Sequence, residues 1–72
     1  MIMTWKEHIG AGVGRYIAIT NSDASGIMYR CWPNGSAEKG YFSGRGRPGS
    51  WRKASQDEWL NACRKVEEVY KR

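Results

Sequence analysis

The chain has few of the residues on which most enzymes and metal proteins depend. It holds one histidine, His8, and two cysteines, Cys31 and Cys63, in 72 residues. A structural zinc site needs four ligands, which this set cannot supply. Two cysteines do not make a disulfide framework, and no secretory segment precedes them. They are expected to be reduced and mostly buried in a cytoplasmic protein. The apolar runs are far too short to span a bilayer, so no membrane partner is expected. No serine lies in a Gly-x-Ser-x-Gly turn. His8 reads as a surface or capping residue, and Glu67-Glu68 as solvated charges on a helix. Gly10-Ala11-Gly12-Val13-Gly14 has no strand before it and no glycine in register after it, so a hinge fits it better than a phosphate loop. Neither catalysis nor a cofactor is expected.

A second absence is local. From Lys39 to Lys53 there is no Asp or Glu, while Lys39, Arg45, Arg47, Arg52 and Lys53 supply five positive charges. The whole chain is also +5, so the charges elsewhere cancel. A basic, glycine-punctuated segment on a neutral body is an electrostatic footprint for a polyanion.

Length bounds the fold. A chain of 72 residues makes one small domain, residues 1–72, whose core is marginal. Four Trp, four Tyr and one Phe supply much buried area per residue. In residues 1–12, Thr4-Trp5-Lys6-Glu7 fits a capping box and Ile2, Trp5 and Ile9 sit at helical spacing, which predicts a short helix stopped by Gly10. Arg15–Thr20 and Ile27–Trp32 read as strands, with the loop Asn21–Gly26 between them. Alternation along the second of these places Arg30 on the more solvated face. Asn34-Gly35 signals a hairpin that returns through a third strand, Ala37–Ser43. Ser55-Gln56-Asp57-Glu58 is a capping box. Beyond it Trp59, Ala62, Cys63, Val66, Val69 and Tyr70 form one apolar stripe on a helix, with Lys71-Arg72 at its end. The expected fold is α+β: a three-stranded antiparallel sheet with an amphipathic C-terminal helix on one face. The basic segment then lies between the third strand and that helix.

Within it, Ser43-Gly44-Arg45-Gly46-Arg47-Pro48 has three readings. It is a turn with arginines for solubility, a minor-groove reader, or an RNA contact using the same charges. An extended Arg-Gly-Arg unit is narrow enough for the ~6 Å minor groove. A-tracts narrow that groove and concentrate negative potential, which favours inserted arginine. Gly46-Arg47-Pro48 also resembles the core of an AT-hook.

Phe42, then Ser43-Gly44-Arg45-Gly46-Arg47, then Trp51 resemble the C-terminal DNA-binding domain of H-NS-type nucleoid proteins. Tyr29-Arg30 followed by Asn34-Gly35 is similar to that family's hairpin. The resemblance covers about residues 29–53. It implies that Arg45, Gly46 and Arg47 enter the minor groove of AT-rich DNA, that Lys39, Arg52 and Lys53 meet phosphates, and that the protein is nucleoid-associated. Ser43 and Arg30 complete the candidate set. Pro48 stands one place earlier than the family's proline, the third strand and last helix are longer, and no oligomerising coiled coil is present. A lone DNA-binding module in transcription regulation is therefore expected rather than a filament-forming silencer.

Two other classes compete. An integrase-arm-like sheet module would read the major groove through the strands, with Arg15, Tyr16, Arg30 and Trp32 as contacts. A double-stranded-RNA-binding-like module resembles the same element order, although the loop 21–26 lacks that family's Gly-Pro-x-His pattern. A small protein-binding inhibitor module encoded by a mobile element would use Trp5, Trp32 and Trp51 as exposed anchors. Monomer and weak homodimer are both open.

Overall fold

A computed structural model describes residues 1–10, 12–44 and 46–70. Its elements are β1 (Ile2–Ile9), β2 (Gly12–Thr20), β3 (Gly26–Cys31), β4 (Ala37–Phe42), β5 (Arg52–Ala54) and α1 (Gln56–Tyr70). The strands form one antiparallel meander in the order β1-β2-β3-β4-β5. The α+β class and the C-terminal helix agree with the sequence reading. The sheet, however, has five strands where three were expected.

Both added strands have a physical reason. Residues 2–9 form β1, not a helix, with Ile2 opposite Ile19 and Ile9 opposite Gly12. The apparent helical spacing of Ile2, Trp5 and Ile9 conceals a period of two, in which Trp5, Glu7 and Ile9 share one face. Gly10, at φ 56, turns the chain back. Gly12, Val13 and Gly14 are therefore strand residues rather than part of a hinge, and Ala11 lies outside the described residues. At the other edge Arg52–Ala54 pairs with β4, setting Ala37 opposite Ala54 and Lys39 opposite Arg52. A short, cationic edge strand protects a sheet from pairing with other chains, and it carries little apolar pattern to read.

Two loops share one construction. Asn21 N donates to Ser25 O at 2.7 Å and Ala24 N to Asn21 O at 3.2 Å. Trp32 N donates to Ser36 O at 2.9 Å and Gly35 N to Trp32 O at 2.9 Å. The fourth residue of each has positive φ: Ala24 at 68 and Gly35 at 89. The third accepts twice, Asp23 from the Ser25 backbone and hydroxyl, and Asn34 from those of Ser36. The Asn-Gly pair thus marks a hairpin, with three more residues in its loop than the tightest form needs.

The sheet is covered on both faces. On one, Ile17, Ala37 and Ala54 meet Trp59 and Ala62 of α1, with Ile2, Ile19, Tyr29, Cys31, Cys63 and Val66 around them. On the other, Tyr16, Ala18 and Met28 form a second cluster with Trp5, Ile9, Phe42 and Trp51. This explains why Tyr16, Ile17 and Ala18 are all buried although they alternate between faces. Ser55 Oγ caps α1 by accepting from Glu58 N at 3.2 Å. The other half of the capping box is absent, because Glu58 turns to Lys39 instead, at 2.8 Å. The apolar stripe of α1 ends at Val66. Val69 and Tyr70 are exposed, and the Tyr70 hydroxyl donates to Ile2 O at 2.9 Å. Lys71 and Arg72 lie outside the described residues. No helix among the described residues is long and apolar enough to cross a membrane.

Candidate nucleic-acid interface

The segment after β4 folds back across the face opposite α1. Its return is fixed by a close seat: a Cβ at Gly40 would lie 2.5 Å from Pro48 Cβ and 2.8 Å from Ser50 O. Gly40 thus lets the buried Pro48 lie directly on β4. Three residues on, Trp51 meets the buried Tyr16 edge-on at 6.2 Å, and Tyr16 stacks on Trp5 at 5.2 Å. The stretch between Phe42 and Pro48 is held at both ends. Ser43, Gly44, Gly46 and Arg47 are exposed, and Arg45 lies outside the described residues.

Arg47 is exposed yet engaged. Its guanidinium donates to both carboxylate oxygens of Glu7, one contact being 3.1 Å, and lies 6.0 Å from the centre of the Tyr16 ring. Trp5 Nε1 donates to the same carboxylate at 3.1 Å. Hydrogen bonding to Arg47, above all, holds the Glu7 carboxyl below its ordinary value of 4.5. Nothing in the basic motif itself pointed to Glu7. The signal was its position in an alternating strand, which the helical reading of residues 1–12 concealed.

Arg30 is built into the scaffold. It gives two hydrogen bonds to Glu38 Oε1, at 3.1 and 2.8 Å. Its guanidinium lies between Trp32, at 4.7 Å, and Trp51, at 3.9 Å. An arginine paired and stacked in this way holds the returning segment to the sheet, and Arg30 is less solvated than its alternation implied. Lys39 is on the opposite face, where its bond to Glu58 raises its pKa and ties β4 to the first turn of α1. Arg52 and Lys53 are exposed on successive residues of β5, so they project to opposite faces. The candidate cations therefore fall into two groups. Arg47, Arg52 and Lys53 are accessible, whereas Arg30 and Lys39 are engaged in internal contacts.

Gly44, at φ 64, has a conformational reason to be glycine. At Gly46 there is open space: a Cβ there would meet nothing nearer than Ser43 O at 3.8 Å.

The strand-reading arrangement is not assembled. Tyr16 is 1% exposed, Arg30 and Trp32 are stacked together, and Arg15 projects to the helix side. The tryptophans are not spare either. Trp59 is buried and Trp5, Trp32 and Trp51 are half-buried, so these three are less exposed than the anchors of a protein-binding module were expected to be. Cys31 and Cys63 are free and half-buried, and burial raises both thiol pKa values, which makes them poor nucleophiles. No group of three metal-ligating side chains occurs among the described residues. Comparison with family models, curated proteins and solved structures finds no match for this chain.

Proposed function

We propose that the protein binds DNA through the segment 43–53, with the Arg45-Gly46-Arg47 tip entering the minor groove of AT-rich duplex. Arg52 and Lys53 on β5 meet the flanking phosphates. The observation that carries this reading is Gly46. It is exposed within an acid-free, basic stretch held at both ends, and no neighbouring atom fills the space a side chain would take there. That open space lets a groove wall press against the backbone. In the free protein the Glu7 carboxylate occupies the Arg47 guanidinium, as a phosphate would. Binding exchanges one anionic partner for another, so desolvation of Arg47 is partly met before encounter.

Anisotropy titrations with AT-rich and GC-rich duplexes test the proposal. Arg45→Ala with Arg47→Ala should lower AT-rich affinity by about a hundredfold, the loss of two charge-assisted contacts. Glu7→Gln, which frees Arg47, should raise it. If the double variant binds as the parent does, the tip is not the reader.

A further inference from the structure

On the helix side of the sheet Lys6 and Arg15 stand directly opposite each other on β1 and β2. Like charges in this position repel and destabilise a strand pair. Both residues are exposed, and neither is ion-paired among the described residues. No direct ion pair among the described residues offsets this cost, although a bound anion would.

The pair borders a cavity of about 280 Å³ between the β1–β2 hairpin and α1. α1 lies across β1, β2 and β3, with Trp59 and Ala62 packed among Ile17, Ala37 and Ala54. Toward the outer edge the helix-side residues of β1 become polar, Thr4 and Lys6, and the helix leaves a gap. Its apolar wall is Ile17, Trp59, Cys63 and Val66, its lip is Lys6 and Arg15, and Glu67 stands across from them on the helix. A cavity close to the size of small ligand sites, with apolar walls and a few convergent charges, is suited to an amphipathic ligand.

We propose that this cavity is a binding site for a small anion bearing a flat apolar group, either an aryl phosphate or an aryl carboxylate. Lys6 and Arg15 hold the anionic end, and the Trp59–Val66 wall takes the ring. Glu67, across the cavity, repels the anionic end and so keeps it at the Lys6–Arg15 lip. The site lies on the helix side of the sheet, away from the segment 43–50, and does not depend on the DNA-binding reading.

Phenyl phosphate and phenylacetate serve as probes, with inorganic phosphate and benzyl alcohol as controls for the two halves of the recognition. In amide-shift titrations both aryl anions should perturb residues 4–6, 15–17 and 63–67, and their relative affinities distinguish phosphate from carboxylate. Lys6→Gln and Arg15→Gln should each weaken binding by about tenfold, as loss of a charge-assisted contact does. Neither should lower the melting temperature, since each relieves a repulsion. Glu67→Gln should tighten binding. Bound ligand should slow alkylation of Cys63, read by peptide mass against Cys31 in the same chain. Three results would overturn the assignment: no aryl anion bound at millimolar concentration, benzyl alcohol bound as well as phenyl phosphate, or inorganic phosphate bound equally. Loss of duplex affinity in Arg15→Gln without aryl-anion binding would also overturn it, and would assign the pair to nucleic acid.

Discussion

Ala24 occupies the position in its loop that Gly35 fills in the other, at φ 68 and 89 respectively. An L side chain in this conformation costs ~1–2 kcal/mol, while glycine adds freedom to the unfolded chain and returns part of that. Ala24→Gly should therefore stabilise the protein by about 0.5–1 kcal/mol in urea unfolding; a loss of stability would mean that the two loops are not equivalent. The glycines of the basic segment make opposite predictions. Gly40→Ala drives a methyl into Pro48 and should cost about 1–3 kcal/mol, as overpacking does. Gly46→Ala should leave stability within about 0.5 kcal/mol, as at other surface positions, and still reduce affinity for AT-rich duplex. A Gly46→Ala variant with unchanged affinity would remove the observation on which the functional proposal rests.

The element of most consequence is the returning segment 43–51, fastened by Pro48 on Gly40, Trp51 beneath Arg30, and Arg47 on Glu7. The last fastening rests on a carboxyl held below its ordinary value. Because the folded-state pKa of Glu7 is depressed, the tie is complete above the ordinary carboxylate value of 4.5 and is lost as pH falls through the lowered one. Amide exchange at residues 46–50 should accelerate in that acidic window, and Glu7→Gln should show the faster exchange already at neutral pH. Asp23 is lowered in the same direction by Ser25, so the loop 21–25 should loosen in both proteins and serves as an internal reference. Elements with a strong local signature were legible in the sequence. Ser55 and the Trp59–Val66 stripe defined α1, and Asn34-Gly35 defined a hairpin. The edge strands were not. β1 carries too few apolar residues to distinguish a period of two from 3.6, and β5 owes its existence to pairing with β4 rather than to its own sequence.

At the scale of the molecule, the candidate site was legible as a charge pattern but not as a surface. Sequence gives the sign and density of charge between Lys39 and Lys53, whereas burial and partners decide which cations are available. Arg30 and Lys39 hold the scaffold together, and Arg47, Arg52 and Lys53 remain accessible. The partner of Arg47 lies forty positions away in β1, a separation that no local pattern reveals. This division narrows the expected electrostatics. With Arg45 and Arg47 in the groove and Arg52 and Lys53 on phosphates, four cations displace counterions, and the log–log salt slope of duplex binding should be about −3 to −4, at ~0.9 per charge neutralised. A slope near zero would point to a partner other than nucleic acid. The most direct measurement is an amide chemical-shift titration with an AT-rich duplex, repeated with a GC-rich one. The account predicts shifts concentrated at residues 43–53, larger for the AT-rich duplex, with Glu7 responding as Arg47 leaves it. Shifts centred on α1 or on the outer edge of β1, or no response to either duplex, would contradict it.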